Sequence, residues 1–492
     1  MHVDHHNTTL AMKASILSLS CILWVLAAGV SVPRYFEKHA ITRRDLTAKQ
    51  IREELGLRVS NTTLIFGPEA CRFEKATSRW TDSSKPDVQV VIEPGIESDV
   101  ATIVQYCNAN SIEFLALNGG HGVAASLSTF SGIQISMRQL DNITIQPGVK
   151  SAWFGGGTVV GPVIHHLWDK GFVTTTGGCE CVGMLGAGLG GGHGRYEGLY
   201  GMISDNMLQL NVVLANGSTI RTNTTSHSDL LWGMKGAGHN FGIVTSYEMN
   251  IFPRGPDTWH YHNYIWRGEQ LEAVFNALNH FHGNGSTPID MAFNVGTFLM
   301  NASMSEAAYE EFGDVPYSQI AHAQGTGMSD PICQHDGVHI SSTAGLQVYN
   351  LTAERLIYDG FKKRAIEDPD LAAVTGIMHE GYATAGVEAV DSASSAYPFR
   401  ADRHLMFFNA AVTHRDSALE ERARIWAAEV SDQWNAGEPG RTSNVYLNYA
   451  TSFETLEERY GHESWRIERL RGLKALYDPN NRFRYYNPIV VE

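Results

Sequence analysis

Two short stretches hold the residues whose types and spacing could do chemistry. "NGGHG" sets His121 among glycines at the end of the apolar run "IEFLAL", and "GGCECVGMLGAGLGGGHG", from Gly177, sets Cys179, Cys181 and His193 in a glycine-dense segment. Imidazole nitrogen and cysteine sulfur are the reactive side-chain atoms that these stretches offer to a bound ligand. Glycine in bulk costs backbone entropy, so such density implies a ligand that needs bare backbone pressed against it. Turns of this kind aim successive N–H groups at phosphate oxygens. Taken together, the two loops read as one site, with a pyrophosphate on the backbone and a flat redox ring flanked by His121 and Cys179.

Competing readings of the same residues are weaker. Gly186, Gly188 and Gly191 fit G-x-G-x-x-G, with Asp205 at a ribose-binding distance along the chain. That motif needs a leading strand and a following helix. Here polar "TTTGGCEC" leads in and "HGRYEGLYG" follows. Cys179, Cys181, His193 and His121 could ligate zinc, but C-x-C is not the usual spacing and no second pair follows; no metal is expected. A small buried thiol or half of a disulfide stays open for Cys179.

The elements that must position these loops alternate along the chain. "VQVVIEP" predicts a strand, "IESDVATIVQYCNAN" a helix with an acidic first turn, and "IEFLALN" a second strand running into His121. "LQLNVVLANGSTIRT" predicts a hairpin about Asn216-Gly217. "DLLWGMKGAGHNFGIVTSYEMNIFP" predicts helix, glycine turn and strand. From about residue 256 to 440 the pattern changes to amphipathic helices, "GEQLEAVFNALNHF" and "AERLIYDGFKKRA", among polar loops. The tail, from "NVYLNY" on, predicts a strand, a long helix and an aromatic end.

With 492 residues, 52 acidic against 37 basic and 43% hydrophobic, the chain is a folded protein too long for one ordinary core. Its net charge of −15 argues against nucleic acid or an anionic membrane as partner. "MKASILSLSCILWVLAAGVSVP", from Met12, predicts a secretory signal within residues 1–31, too short in its apolar run for a bilayer span. Sequons at Asn7, Asn61, Asn142, Asn216, Asn223, Asn284, Asn301 and Asn350 support a secreted glycoprotein. Behind the signal, which contains Cys21, five cysteines remain; an odd count leaves one without an internal partner.

These motifs resemble the flavin-linked oxidases of the berberine bridge enzyme type, within the vanillyl-alcohol-oxidase fold. "NGGHG" is similar to that family's R-S-G-G-H-S loop, and the second loop to its C-P-T-V-G-V-G-G-x-x-x-G-G-G-x-G. "DLLWGMKGAGHNFGIVTSYEM", "YLNY" and "LKALYDPNNRFRYYNPI" follow in the family's order. The resemblance implies an α+β fold: an FAD-binding domain of PCMH type (32–255), an inserted substrate domain with an antiparallel sheet under helices (256–440), and a C-terminal return (441–492). It places His121 on the histidine bonded to the flavin 8α-methyl and Cys179 on the cysteine bonded to C6. Leu117, Asn118, Gly119, Gly120 and Gly122, then Val182, Gly183 and Gly186, then Gly242, Ile243 and Val244, and finally Asn448 and Tyr449 fall on cofactor-contacting positions. Leu117 stands where the family has arginine, Asn118 where it has a small residue, and Ala450-Thr451 where many members have an aspartate. Cys107, on the helix before His121, resembles a family disulfide cysteine with Cys71 as its partner, the alternative being two free buried thiols. Cys181 is an extra thiol that could compete with Cys179 or pair with it.

The implied activity is hydride transfer from a small organic substrate to FAD, with O₂ restoring the cofactor and giving H₂O₂. Val182 falls on the family's oxygen gatekeeper, where valine admits O₂. Tyr446 falls on an active-site tyrosine, and His193 replaces a substrate-facing tyrosine; either could serve as base. Secondary-metabolite intermediates, carbohydrates, and ring closure without net redox turnover remain open as the chemistry served.

Overall fold

The computed structural model describes residues 46–282, 287–289, 291–298, 309–335, 337–413 and 416–490. The leader, Cys21 and the sequons at Asn7, Asn284 and Asn301 lie outside them.

The first sheet holds β1 (Leu64–Phe66), β2 (Asp87–Glu93), β3 (Phe114–Leu117) and β4 (Ser131–Ser136) in the order 1-2-4-3. β2 and β3 both run parallel to β4, so a crossover must join them. The helix Glu97–Ala109 is that crossover, and its Val100, Ile103 and Val104 are fully buried beside Val90, Ile92, Ile133 and Ile135. Its first-turn carboxylates suit the helix N-terminus and also anchor it. Glu97 accepts from the Thr245 and Ser246 hydroxyls (2.6 and 2.8 Å), and Asp99 from those of Ser60 and Thr63 (both 2.6 Å).

A second, antiparallel sheet has β5 (Ile143–Ile145), β6 (Ser151–Gly155), β8 (Met207–Val213), β9 (Thr219–Asn223) and β10 (Ile243–Asn250) in the order 5-6-10-8-9. The Asn216-Gly217 hairpin forms as expected, with Gly217 at φ +81°. Two short ribbons flank the sheets: β7 (Phe172–Val173) with β11 (Phe252–Pro253), and β12 (Trp259–Ile265) with β14 (Tyr309–Val315).

The third sheet, β13 (Ala292–Phe298), β15 (Val338–Leu346), β16 (Thr375–Tyr382) and β17 (His404–Val412), is antiparallel in the order 13-16-17-15. Helix Ser417–Gly437 lies on it, capped by Asp416 and burying Ala423, Trp426, Ala427, Val430 and Trp434 at helical spacing. Removing either indole would cost about 3–5 kcal/mol as a core cavity. The helices expected at "GEQLEAVFNALNHF" and "AERLIYDGFKKRA" form as Leu271–His282 and Leu351–Glu367.

The tail departs from expectation. "NVYLNY" is a loop ending in a 3-10 turn, Leu447–Tyr449, and the long helix is two, Leu456–Tyr460 and Ser464–Tyr477, broken at Gly461 with φ +102°. Ile467, Leu470 and Leu473 of the second pack with Leu230, Leu231 and Phe241 in the core of the second sheet.

The cysteine pairing also differs from expectation. Cys181 is bridged to Cys333, 152 residues away, while Cys71 is exposed and Cys107 is buried in the crossover helix, both as free thiols. The Cys71–Cys107 disulfide is therefore absent, and Cys181 is not left to compete with Cys179.

Candidate active site

Both glycine loops, the Gly242–Val244 segment and the Tyr446–Tyr449 turn line one cavity of about 980 Å³. Every residue expected to touch the cofactor lines it, and so do His193 and Tyr446. The glycines are there because the loops press together. A Cβ on Gly119 would meet the Gly183 nitrogen at 2.3 Å, and one on Gly183 would meet the Asn118 Oδ1 at 1.9 Å. Asn118 joins the two loops, accepting from the Gly186 N–H (3.3 Å) and donating to the Thr158 carbonyl (3.1 Å). His239, from the third motif, reaches the Gly186 carbonyl at 3.0 Å, and Asn448 donates to that of Ala187 at 2.8 Å. Asn118, His239 and Asn448, from three separate motifs, thus converge on the short helix Met184–Leu189 of the second loop.

The two side chains that the resemblance assigns to the flavin are both uncharged. Both ring nitrogens of His121 are buried and have no hydrogen-bond partner among the described residues. Burial, aided by His335, lowers its pKa to about 3, so the ring is neutral with a free lone pair. Burial likewise raises the Cys179 thiol to about 12, with the Glu380 carboxylate adding to the effect. Cys179 is a free thiol on the cavity wall.

A segment of the 256–440 region is stapled onto the Cys179 loop. The Thr326 hydroxyl donates to the Gly178 carbonyl (3.0 Å), and the N–H groups of Glu180 and Met328 bond to the Thr326 carbonyl and the Glu180 carboxylate (each 3.0 Å). The Cys181–Cys333 bridge completes the attachment. Arg195 donates to Gln324 (2.8 Å), the Gly178 carbonyl (2.9 Å) and Thr326 (3.2 Å).

The two expected base candidates are engaged within the protein. His193 is buried, its Nδ1 on the Glu197 carboxylate at 2.9 Å and its Nε2 on the Tyr397 hydroxyl at 2.7 Å. Burial opposes its charged form, but the Glu197 carboxylate outweighs that and raises its pKa. The Tyr446 hydroxyl oxygen accepts from the Asn448 amide (2.6 Å) and the His193 N–H (3.3 Å), while burial lifts the phenol above its ordinary value.

Sequence reasoning missed Glu380. It is a half-buried carboxylate in β16, lining the cavity and accepting from the hydroxyls of Tyr449 (2.8 Å) and Tyr382 (3.0 Å). Burial raises its pKa against those two hydrogen bonds. A lone carboxylate inside the strand run "GIMHEGY" was the available signal. Asp205, the ribose-binding candidate of the rejected motif, is instead clamped by Arg400 at 2.7 and 3.0 Å.

Residues 88–223 match the FAD binding domain family. Over 98% of its length the chain is 47% identical to the FAD-linked oxidoreductase iacH of Pestalotiopsis fici, covering 99% of that protein. The chain belongs to the FAD-linked oxidoreductases. This oxidoreductase is also 45% identical to the FAD-linked oxidoreductase OXR2 of Pyricularia oryzae, across 97% of its own length and 100% of the relative's. Its fold is that of the glucooligosaccharide oxidase of Acremonium strictum, with a TM-score of 0.76 at 17% identity, covering 91% and 100% of the two chains. The FAD of that oxidase is described as 6-S-cysteinyl, 8α-N1-histidyl. The oxidoreductase's own residues fit FAD: the unpartnered His121 nitrogens, the glycine cradle and the free Cys179 thiol face the same space.

Proposed function

We propose that this oxidoreductase is a secreted oxidase of small organic alcohols or secondary-metabolite intermediates, with its flavin bonded to both His121 and Cys179. The observation that carries the reading is one cavity lined by a neutral, unpartnered imidazole, a free thiol and a carboxylate held by two tyrosines. Bound FAD supplies the hydride acceptor and, through its reoxidation by O₂, the route to H₂O₂.

The protein's part is position and proton transfer. The neutral His121 ring and the Cys179 thiol both line the cavity and would hold the flavin there through its 8α carbon and C6, each bond taking the place of a flavin C–H with O₂ as the two-electron oxidant. Glu380 takes the substrate's O–H proton, directly or through the Tyr449 hydroxyl it already holds. Its partly desolvated setting keeps the carboxylate more basic than one in water. Tyr446 orients substrate, and His193, with both ring nitrogens spent, positions Tyr446 through its backbone N–H. Val182, which falls on the position resembling the family's oxygen gatekeeper, lines the cavity at the second loop.

Trp80, Phe407, Met378 and Tyr382 line the same cavity, which favours a flat or apolar substrate over a strongly hydrated one. Secretion rests on the leader and on Asn61, Asn142 and Asn216, all exposed sequons. Asn223 is half-buried, and Asn350 is occupied as the cap of helix Leu351–Glu367. Among the described residues no helix is long and apolar enough to cross a membrane.

The test is H₂O₂ release from the purified protein against a panel of aryl alcohols, alkyl alcohols and oligosaccharides. One H₂O₂ per substrate oxidised, best with aryl alcohols, is expected. Turnover of substrate with no O₂ uptake would overturn the oxidase reading in favour of ring closure, and a preference for oligosaccharides would overturn the substrate class.

A further inference from the structure

Three arginines line the cavity: Arg79, Arg195 and Arg482. Arg195 is spent on Gln324, Gly178 and Thr326. Arg482 pairs with Glu113 at 3.2 Å and donates to the Ile112 carbonyl at 2.6 Å. Arg79 is different. It is only 6% exposed, its Nε and Nη2 have no hydrogen-bond partner, and no carboxylate pairs with it among the described residues. Burial and the neighbouring Arg138 lower its pKa to about 10, so the charge persists at neutral pH without a counter-charge. A buried, unpaired guanidinium is costly unless a ligand anion meets it.

The surroundings of Arg79 indicate which anion. Its Cα lies 3.8 Å from where a Cβ of Gly120 would sit, and the Trp80 N–H bonds to the Gly120 carbonyl at 3.1 Å. Arg79 therefore stands on the first glycine loop, where Gly120 has φ +82°. That loop, "LNGGHG", brings no permanent cation of its own. Trp80 packs toward Val123, Phe407, Met378 and Tyr449, the side that also carries Glu380. Arg138, the charge that acts on Arg79, follows β4, whose Ser136 pairs with Leu117 where the loop leaves the sheet. Arg79 thus belongs to the loop-and-sheet side of the cavity rather than the substrate side.

We propose that Arg79 is the residue that binds the diphosphate of FAD, supplying from outside the glycine loop the positive charge that the loop lacks. The proposal rests on FAD as the occupant of this cavity and adds the residue that selects for its diphosphate. Arg–phosphate pairs are strong because the planar fork makes two charge-assisted bonds at once.

The test uses full-length apoprotein from riboflavin-starved cells, with ADP and adenosine as probes of thermal stability and FAD uptake followed by flavin-to-protein ratio. Wild-type apoprotein should be stabilised by ADP more than by adenosine. Arg79→Leu should lose that difference and bind FAD roughly 10- to 100-fold more weakly, as expected for lost charge-assisted bonds. Arg79→Lys should recover part of it, and its circular dichroism controls for folding. An Arg79→Leu protein with wild-type ADP preference and full FAD content would overturn the proposal. So would one whose FAD content is kept while its flavin potential shifts, since the guanidinium would then face the ring. Wild-type apoprotein that binds neither ADP nor FAD would overturn the cavity assignment and this proposal with it.

Discussion

Replacing Cys333 by serine opens the one bridge found among the described residues. That bridge closes a loop of 152 residues. In the chain-entropy limit a loop of that length is worth about 5 kcal/mol at 25 °C, and losses on removing native bridges run about 2–5 kcal/mol. With an unfolding entropy near 2.1 cal/mol/K per residue, the 492-residue chain converts 5 kcal/mol into a fall in Tm of about 5 °C. The assay is thermal unfolding of wild type and Cys333→Ser, each with and without reductant. Wild type should drop to the variant's Tm on reduction, and the variant should not respond. Cys71→Ser, which removes an exposed free thiol, should change nothing. A wild type whose Tm is indifferent to reductant, with Cys181 alkylated before unfolding, would refute the pairing. The bridge also ties the Thr326 segment over the Cys179 loop, so flavin attachment should become heterogeneous in the variant.

The remaining predictions concern the cavity and the core. Glu380→Gln should lower kcat about 10²- to 10⁴-fold with flavin content unchanged; steady-state kinetics within threefold of wild type would dismiss Glu380 as base. Gly119→Ala places a methyl where the Gly183 nitrogen sits at 2.3 Å, so the loops must part and the flavin-to-protein ratio should fall, read by absorbance. His404 is buried with both ring nitrogens unpartnered among the described residues, and its pKa is driven well below 6.5 by burial and by His282. The unfolded chain therefore takes up a proton that the folded chain refuses, and stability falls as pH drops below 6.5. His404→Phe should flatten the decline of Tm between pH 6.5 and 4.5, and an unchanged slope would count against it.

What could be read from the sequence follows from what glycine and histidine do locally. The two loops stood out because backbone contact leaves only glycine able to fit, and Gly119 against Gly183 shows that contact directly. The strands and crossover around His121 followed from apolar runs and an acidic helix start. The disulfide was not legible, because Cys181 and Cys333 stand 152 residues apart and meet only in the folded chain. Glu380 was hidden for the same reason: its partner Tyr449 is 69 residues away. The tail was expected as a strand because "NVYLNY" has strand-like composition. Tertiary contacts override it, with Asn448 turned toward the Ala187 carbonyl and the Tyr446 hydroxyl.

The central claim is that His121 and Cys179 hold the flavin covalently. The direct measurement is acid denaturation of the purified protein, followed by peptide mass mapping of the pellet. Visible absorbance should stay with the protein, and the flavin mass should join the peptides that contain His121 and Cys179. A colourless pellet with free FAD in the supernatant would contradict the account.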